Sequence, residues 1–153
     1  MPSLNLPNKD HVLRYAPPRD LRKSIDENEN EVVIGLLPDA FRRKTEHKNL
    51  SVTWVERFSG SYCEQIKFAV QAFRTTFKSA SKTPYKGAFG IGGVAAIKQA
   101  AERHRHKIRI LHDPQPTNDG HSEIHRLPRD EDELLEILAT QVFVEFVLNL
   151  DIP

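Results

Sequence analysis

Cysteine is almost absent: Cys63 is the only one in 153 residues, so no disulfide can form within the chain and no thiolate-rich metal site can be built. That favours a reducing compartment, because small secreted domains usually carry several such cross-links. Long apolar runs are absent too. The most apolar stretch, residues 142–150, is interrupted by Glu145 and Asn149 and falls well short of the roughly 20 residues that a membrane helix needs. Residues 1–10 contain no apolar segment of the kind that signals secretion. Nor is there an excess of either charge. The 22 basic and 21 acidic side chains leave a net charge of +1, so no global field draws the protein to nucleic acid or anionic lipid. The expectation is a cytoplasmic chain that does not engage membranes.

What is present divides into short, recognisable elements. Residues 11–16 read as a strand, stopped by Pro17 and Pro18, which cannot donate to a ladder. Residues 24–31 (SIDENENE) are acidic and polar, the composition of an exposed loop. Residues 31–37 are β-branched and apolar and read as a strand, followed by one helical turn from Pro38 to Phe41. In the next segment Leu50, Val52 and Trp54 alternate with Ser51, Thr53 and Val55, the period of a strand with one buried face. Ser61 and Glu64 form an S-x-x-E capping box. Behind it Ile66, Ala69, Val70, Phe73 and Phe77 recur at helical spacing, which predicts a helix to about Ala80. Residues 82–86 form a connection.

Residues 87–91 (GAFGI) read as a glycine-rich strand. Gly92 and Gly93 then open a second helix with Val94, Ile97 and Ala101 on one side. Residues 107–112 alternate as a strand. If that strand shares a sheet with 87–91, the helix between them makes a right-handed parallel crossover. Residues 121–127 are extended or a final edge strand. A last helix begins at 128–130 with an acidic first turn, favoured by the helix dipole, and runs with a wide apolar face to Val147. The fold class is α+β (or mixed α/β): a loose tail over 1–10, then a single domain over 11–150 with a small sheet packed by about three helices.

Candidate chemistry gathers around histidine. His112, His121 and His125 share one stretch with Asp113, Asp119 and Glu123. His121 and His125 would chelate an ion only on a helix, which Gly120 and Pro128 oppose. On a strand, residues four apart are roughly 13 Å from each other, too far to share an ion. No metal site and no cofactor is therefore expected. His121, and His112 across the 113–120 loop, suit a general acid or base, since imidazole titrates near neutrality. The competing role for each is to close a loop by hydrogen-bonding backbone. Ser51 lies inside a strand without flanking glycines and lacks the sharp turn of a nucleophile elbow, which points to a hydrogen-bond donor. Arg14 and Arg19 flank the proline turn and are candidate anion contacts.

Gly87, Gly90, Gly92 and Gly93 lie between a strand and a helix, where phosphate loops occur. They match neither G-x-G-x-x-G in register nor a Walker motif, and tight packing of helix on strand explains them equally well. The basic run over 98–109 is either a solvated helix end or a phosphate contact, so nucleic acid stays open as a partner.

In Pro38–Phe41, in the Leu50, Ser51, Val52 run, in 118–124 (NDGHSEI) and in Pro128 before an apolar C-terminal segment, the chain resembles a group of small bacterial proteins of no known activity. It departs from them at Ser122, where Ala is expected, and at Arg126, Leu127 and Pro128, where Gly-Trp-Pro is common. The resemblance implies a bacterial origin and raises the question of whether Arg14, Ser51 and His121 meet. Two functional classes are consistent with the chain. One is a small interaction or regulatory protein that contacts another protein through its acidic 26–31 and basic 103–107 segments. The other is a small enzyme or ligand-binding protein for a phosphate-bearing or nucleotide-like molecule. In that case His121 would be acid or base, Arg14 or Arg19 would hold anionic oxygen, and Ser51 would donate a hydrogen bond.

Overall fold

A computed structural model describes residues 4–76 and 86–153. Six strands form one antiparallel sheet: β1 (His11–Ala16), β4 (Leu50–Trp54), β5 (Ala88–Gly93), β6 (Arg109–His112), β7 (His121–His125) and β8 (Glu145–Leu148), in the order β6-β7-β4-β1-β5-β8. β2 (Leu21–Ile25) and β3 (Glu31–Leu36) make a separate hairpin. The three helices are α1 (Tyr62–Thr76), α2 (Val94–Arg103) and α3 (Asp132–Ile137), so the chain is an α+β domain.

Strand alternation sends successive side chains to opposite faces of the sheet, and each face has its own core. Leu13, Phe89 and Ile91 lie under α1, which contributes Ile66, Ala69 and Val70. Val12, Val52 and Trp54 lie on the other face, beneath α2, α3, the Ala40–Phe41 turn and the hairpin residues Leu21 and Leu36.

The α1 capping box forms as its sequence predicts. The Ser61 backbone N–H donates to Glu64 Oε1 at 3.0 Å, and the Glu64 N–H donates to Ser61 Oγ at 3.3 Å. The backbone N–H of Ser61, and then its hydroxyl, hold the Glu64 carboxyl below its usual range. Stability from this carboxylate is therefore present above the ordinary carboxylate pKa and is lost as pH falls through the lowered one. Ser61→Ala should cost about 1 kcal/mol in urea unfolding, the usual effect of removing an N-cap hydroxyl. The predicted end of this helix near Ala80 lies outside the described residues.

Several expectations are corrected. Residues 4–10 are not a loose tail. Leu6 is buried and its N–H donates to Ile110 O at 3.0 Å, while His112 N–H donates to Leu4 O at 2.8 Å. Asp10 is buried and accepts from Trp54 Nε1 at 2.9 Å. The carbonyls of Asp10 and Asn8 accept from the first N–H groups of α2, those of Val94 and Ala95.

That pairing also removes the phosphate-loop reading of the glycine stretch, because the helix N-terminus is already occupied. Gly90 and Gly92 belong to β5, and a Cβ on Gly92 would lie 2.9 Å from the Phe143 ring. Gly92 lets Phe143 lie flat on the strand, and Gly90 makes room for Leu36, whose Cδ2 would be 2.8 Å from a Cβ there.

Ser24 and Ile25, expected in a loop, belong to β2. The turn is confined to residues 26–30, where Asp26 Oδ1 accepts from the N–H groups of Asn28 and Asn30. β7 is not an edge strand, since it lies between β6 and β4. β5 and β6 share the sheet but are separated by β1, β4 and β7, so they form no adjacent parallel pair. The last helix ends at Ile137, passes through one wide π turn (Leu138–Val142), and gives way to β8, which pairs with β5. The segment after Val142 is rich in β-branched and aromatic residues, and β5 offers it an otherwise unpaired edge.

Candidate functional site

The β1–β4 ladder consists of two pairs, Val12 with Trp54 and Leu13 with Thr53. Beyond it the strands separate, and the Arg14 side chain bridges the gap. Its Nε–H donates to Ala40 O at 2.8 Å, and its Nη1 donates to Ser51 O at 2.9 Å. A cleft of about 730 Å³ opens at this point. Arg14, Ser51 and Thr53 line it together with Tyr15, Phe73, Asn118 and His121, and Arg19, Asp20, Asp39, Arg42, Lys44 and His47 also border it.

His121 is placed by the ordered 113–120 loop. The Asp113 N–H donates to His121 O at 2.8 Å, and the His121 N–H donates to Asn118 O at 3.1 Å. Asn118 is buried, and its amide donates to Thr53 Oγ1 and accepts from Gly120 N–H, both at 3.0 Å. On the ring, Nδ1 lies 2.9 Å from Asp113 O and 3.3 Å from Asp113 Oδ2. Both neighbours are acceptors, so Nδ1 carries the proton of the neutral ring. Nε2 is left with its lone pair 3.4 Å from Ser51 Oγ. In that tautomer Nε2 presents its lone pair to a hydroxyl across a cleft, with only 13% of the side chain exposed.

Arg14, Arg19, Arg42 and Lys44 face Asp20 and Asp39 around the cleft, so basic side chains are in excess. Burial lowers the Arg14 pKa to about 10, against a smaller opposing pull from Asp20, so it remains charged at neutral pH although densely surrounded. Its outer edge still meets solvent through the cleft. Burial also raises the Tyr15 phenol to about 12, opposed by Arg19, and raises the Asp20 carboxyl. Arg42 is held by Asp39 at 3.0 Å and Asp132 at 2.7 Å. Among the described residues, no carboxylate lies within 4.0 Å of a side-chain nitrogen of Arg14, Arg19 or Lys44.

Of the residues singled out by sequence, Arg14, Arg19, Ser51 and His121 line this one cleft. His112 does not. It pairs with Ser122, whose side chain lies on the opposite face from His121 by alternation. Its Nε2 contacts Asp119 O at 2.6 Å, and its ring meets Trp54 edge-on. It closes the loop through backbone, the other role considered for it. Ser51 lies within regular β4, without a sharp turn.

Sequence reasoning missed Lys44, His47, Thr53, Asn118 and Tyr15. Buried Asn118 inside a turn-forming motif was the one available signal. Lys44 and His47 come from an irregular loop with no period to read. A further cluster was overlooked: Asp113, His121 and Glu123 bring one donor atom each to within 4.8 Å of one another.

Comparisons with protein-family models, with curated proteins and with solved structures gave no match.

Proposed function

We propose that the protein binds a phosphate-bearing small molecule in the β1–β4 cleft, with Arg14 and Arg19 holding anionic oxygen and His121 exchanging a proton with the bound molecule. One observation carries the reading: a densely surrounded guanidinium, with no carboxylate within 4.0 Å among the described residues, lines the same cleft as a histidine of fixed tautomer. Asp20 offsets the Arg14 charge only in part, and a bound anion would add to that while receiving a charge-assisted hydrogen bond. The cleft volume, about 730 Å³, suits a nucleotide-sized molecule. Nε2 of His121 is the acceptor on the ring, the form required of a general base. A purely interaction or regulatory role has less behind it, chiefly the exposed Ile25 and Ile34 on the hairpin.

Thermal unfolding with inorganic phosphate, pyrophosphate and nucleoside 5′-monophosphates tests the reading. A ligand at about 100 times its Kd adds roughly 2.7 kcal/mol, which in a chain of this size raises Tm by about 5–10 °C. His121→Ala should reduce any turnover of such a ligand far more than it reduces the shift. If no phosphate-bearing compound moves Tm at millimolar concentration, the reading fails.

A further inference from the structure

Asp113, His121 and Glu123 lie on the β6–β7 hairpin, beside the cleft. His121 and Glu123 are two residues apart on β7 and so share a face, and Asp113 is tied to His121 through backbone. The donor atoms of all three lie within 4.8 Å of one another. Neighbouring ligands on an ion are about 3.0–3.6 Å apart when each bond is near 2.1 Å, so side-chain rotations that move the donor atoms by about an ångström would close the set.

The charge around these residues points the same way. Among the described residues, the only cationic groups within 4.0 Å of the two carboxylates are imidazoles: His121 Nδ1 at 3.3 Å from Asp113, and His125 Nε2 at 3.9 Å from Glu123. With neutral rings, two carboxylates face each other without a counter-charge, which a cation between them would supply.

We propose that Asp113, His121 and Glu123 form a divalent-metal site beside the cleft, with positions left open toward the bound phosphate. Two carboxylate oxygens and one imidazole nitrogen suit Mn²⁺ or Zn²⁺ better than a thiophilic ion or an all-oxygen-seeking one. The metal's role rests on the phosphate reading above, and it changes His121 from a proton carrier to a ligand whenever the ion is bound. A water on the ion then becomes the acidic group in the cleft.

Isothermal titration of the full chain with MnCl₂ and, separately, with ZnCl₂ tests the site. One ion per chain is expected, with Mn²⁺ affinity falling about tenfold or more in Glu123→Gln and in Asp113→Asn. Asp113 is exposed and Glu123 half-buried, and melting of the metal-free variants checks that they fold. No saturable binding, or equal Mn²⁺ binding by wild type and both variants, overturns the site.

Inorganic phosphate titrated in EDTA and at saturating Mn²⁺ separates the two ideas. Phosphate binding in EDTA with no metal binding leaves the cleft reading standing and the metal site refuted. Metal binding sensitive to both variants, with no phosphate binding in either condition, supports the metal site and removes the cleft reading.

Discussion

Phe143→Ala is expected to lower the unfolding free energy by about 3–5 kcal/mol, the range for removing a fully buried aromatic ring. Phe143 has no exposed surface, and its ring centroid lies 4.6 Å from that of Phe41. It lies flat on β5 because Gly92 has no Cβ, so the two residues form one packing unit. Gly92→Ala alone would drive a methyl to 2.9 Å from three ring atoms and should cost about 1–3 kcal/mol as overpacking. In the Phe143→Ala background that methyl enters vacated space, and its cost should drop below about 1 kcal/mol. The double-mutant cycle in urea therefore gives a coupling on the order of 1–2 kcal/mol. Strictly additive effects would show that the ring does not rest on Gly92. Since single domains have only about 5–15 kcal/mol in all, the Phe143→Ala protein is marginal and is best measured at low temperature.

Phosphate affinity should fall about tenfold to a hundredfold in Arg14→Gln, which corresponds to the roughly 1.5–3 kcal/mol of a hydrogen bond to a charged group. The substitution removes the charge as well as the guanidinium donors to Ala40 O and Ser51 O. Arg14→Lys keeps the charge but lacks the planar fork that serves two carbonyls at once, so its affinity should fall between the two. Arg19 is exposed at the cleft, and Arg19→Ala should have a smaller effect that weakens further in salt.

Direction with pH follows from Arg14 being a base whose pKa burial lowers to about 10. Between that value and its ordinary one near 12.5, the folded protein releases the proton before the unfolded chain does. Its contribution to stability therefore rises with pH in that window, and anion affinity falls as the charge is lost. Calorimetric titration of inorganic phosphate into wild type and both Arg14 variants checks the affinities. Equal affinity in Arg14→Gln would place the anion elsewhere.

Where the physics is local, the sequence is explicit. β1 is bounded by two prolines, α1 by a capping box whose partners are three residues apart, and α2 by paired glycines before an apolar stripe; all three appear where their patterns put them. The C-terminal segment differs because its apolar residues satisfy a helix period and a strand equally well. The open edge of β5, more than fifty residues earlier in the chain, selects the strand. The N-terminal residues are polar enough to read as a tail, and their order comes from backbone groups that pair with β6 and the start of α2.

The candidate site divides along the same line. Residue type alone made Arg14, Arg19, Ser51 and His121 worth singling out, since each brings chemistry that a packed core does not need. Their meeting depends on the separation of β1 from β4 and on the pairing of β4 with β7, contacts spanning tens of residues. His112 shows the limit: it differs from His121 by the face its strand presents, and one residue of register reverses that. The Asp113, His121 and Glu123 cluster is out of reach of sequence spacing, because its geometry combines the end of one strand with its neighbour.

By itself the sequence determined an α+β set of short elements and the local caps and turns, because those depend on residues within one or two turns of one another. Tertiary structure alone decided the sheet order, the fate of both chain ends and the convergence of Arg14, Ser51 and His121 on one cleft. Each of these is a competition among long-range pairings, which no local pattern can rank.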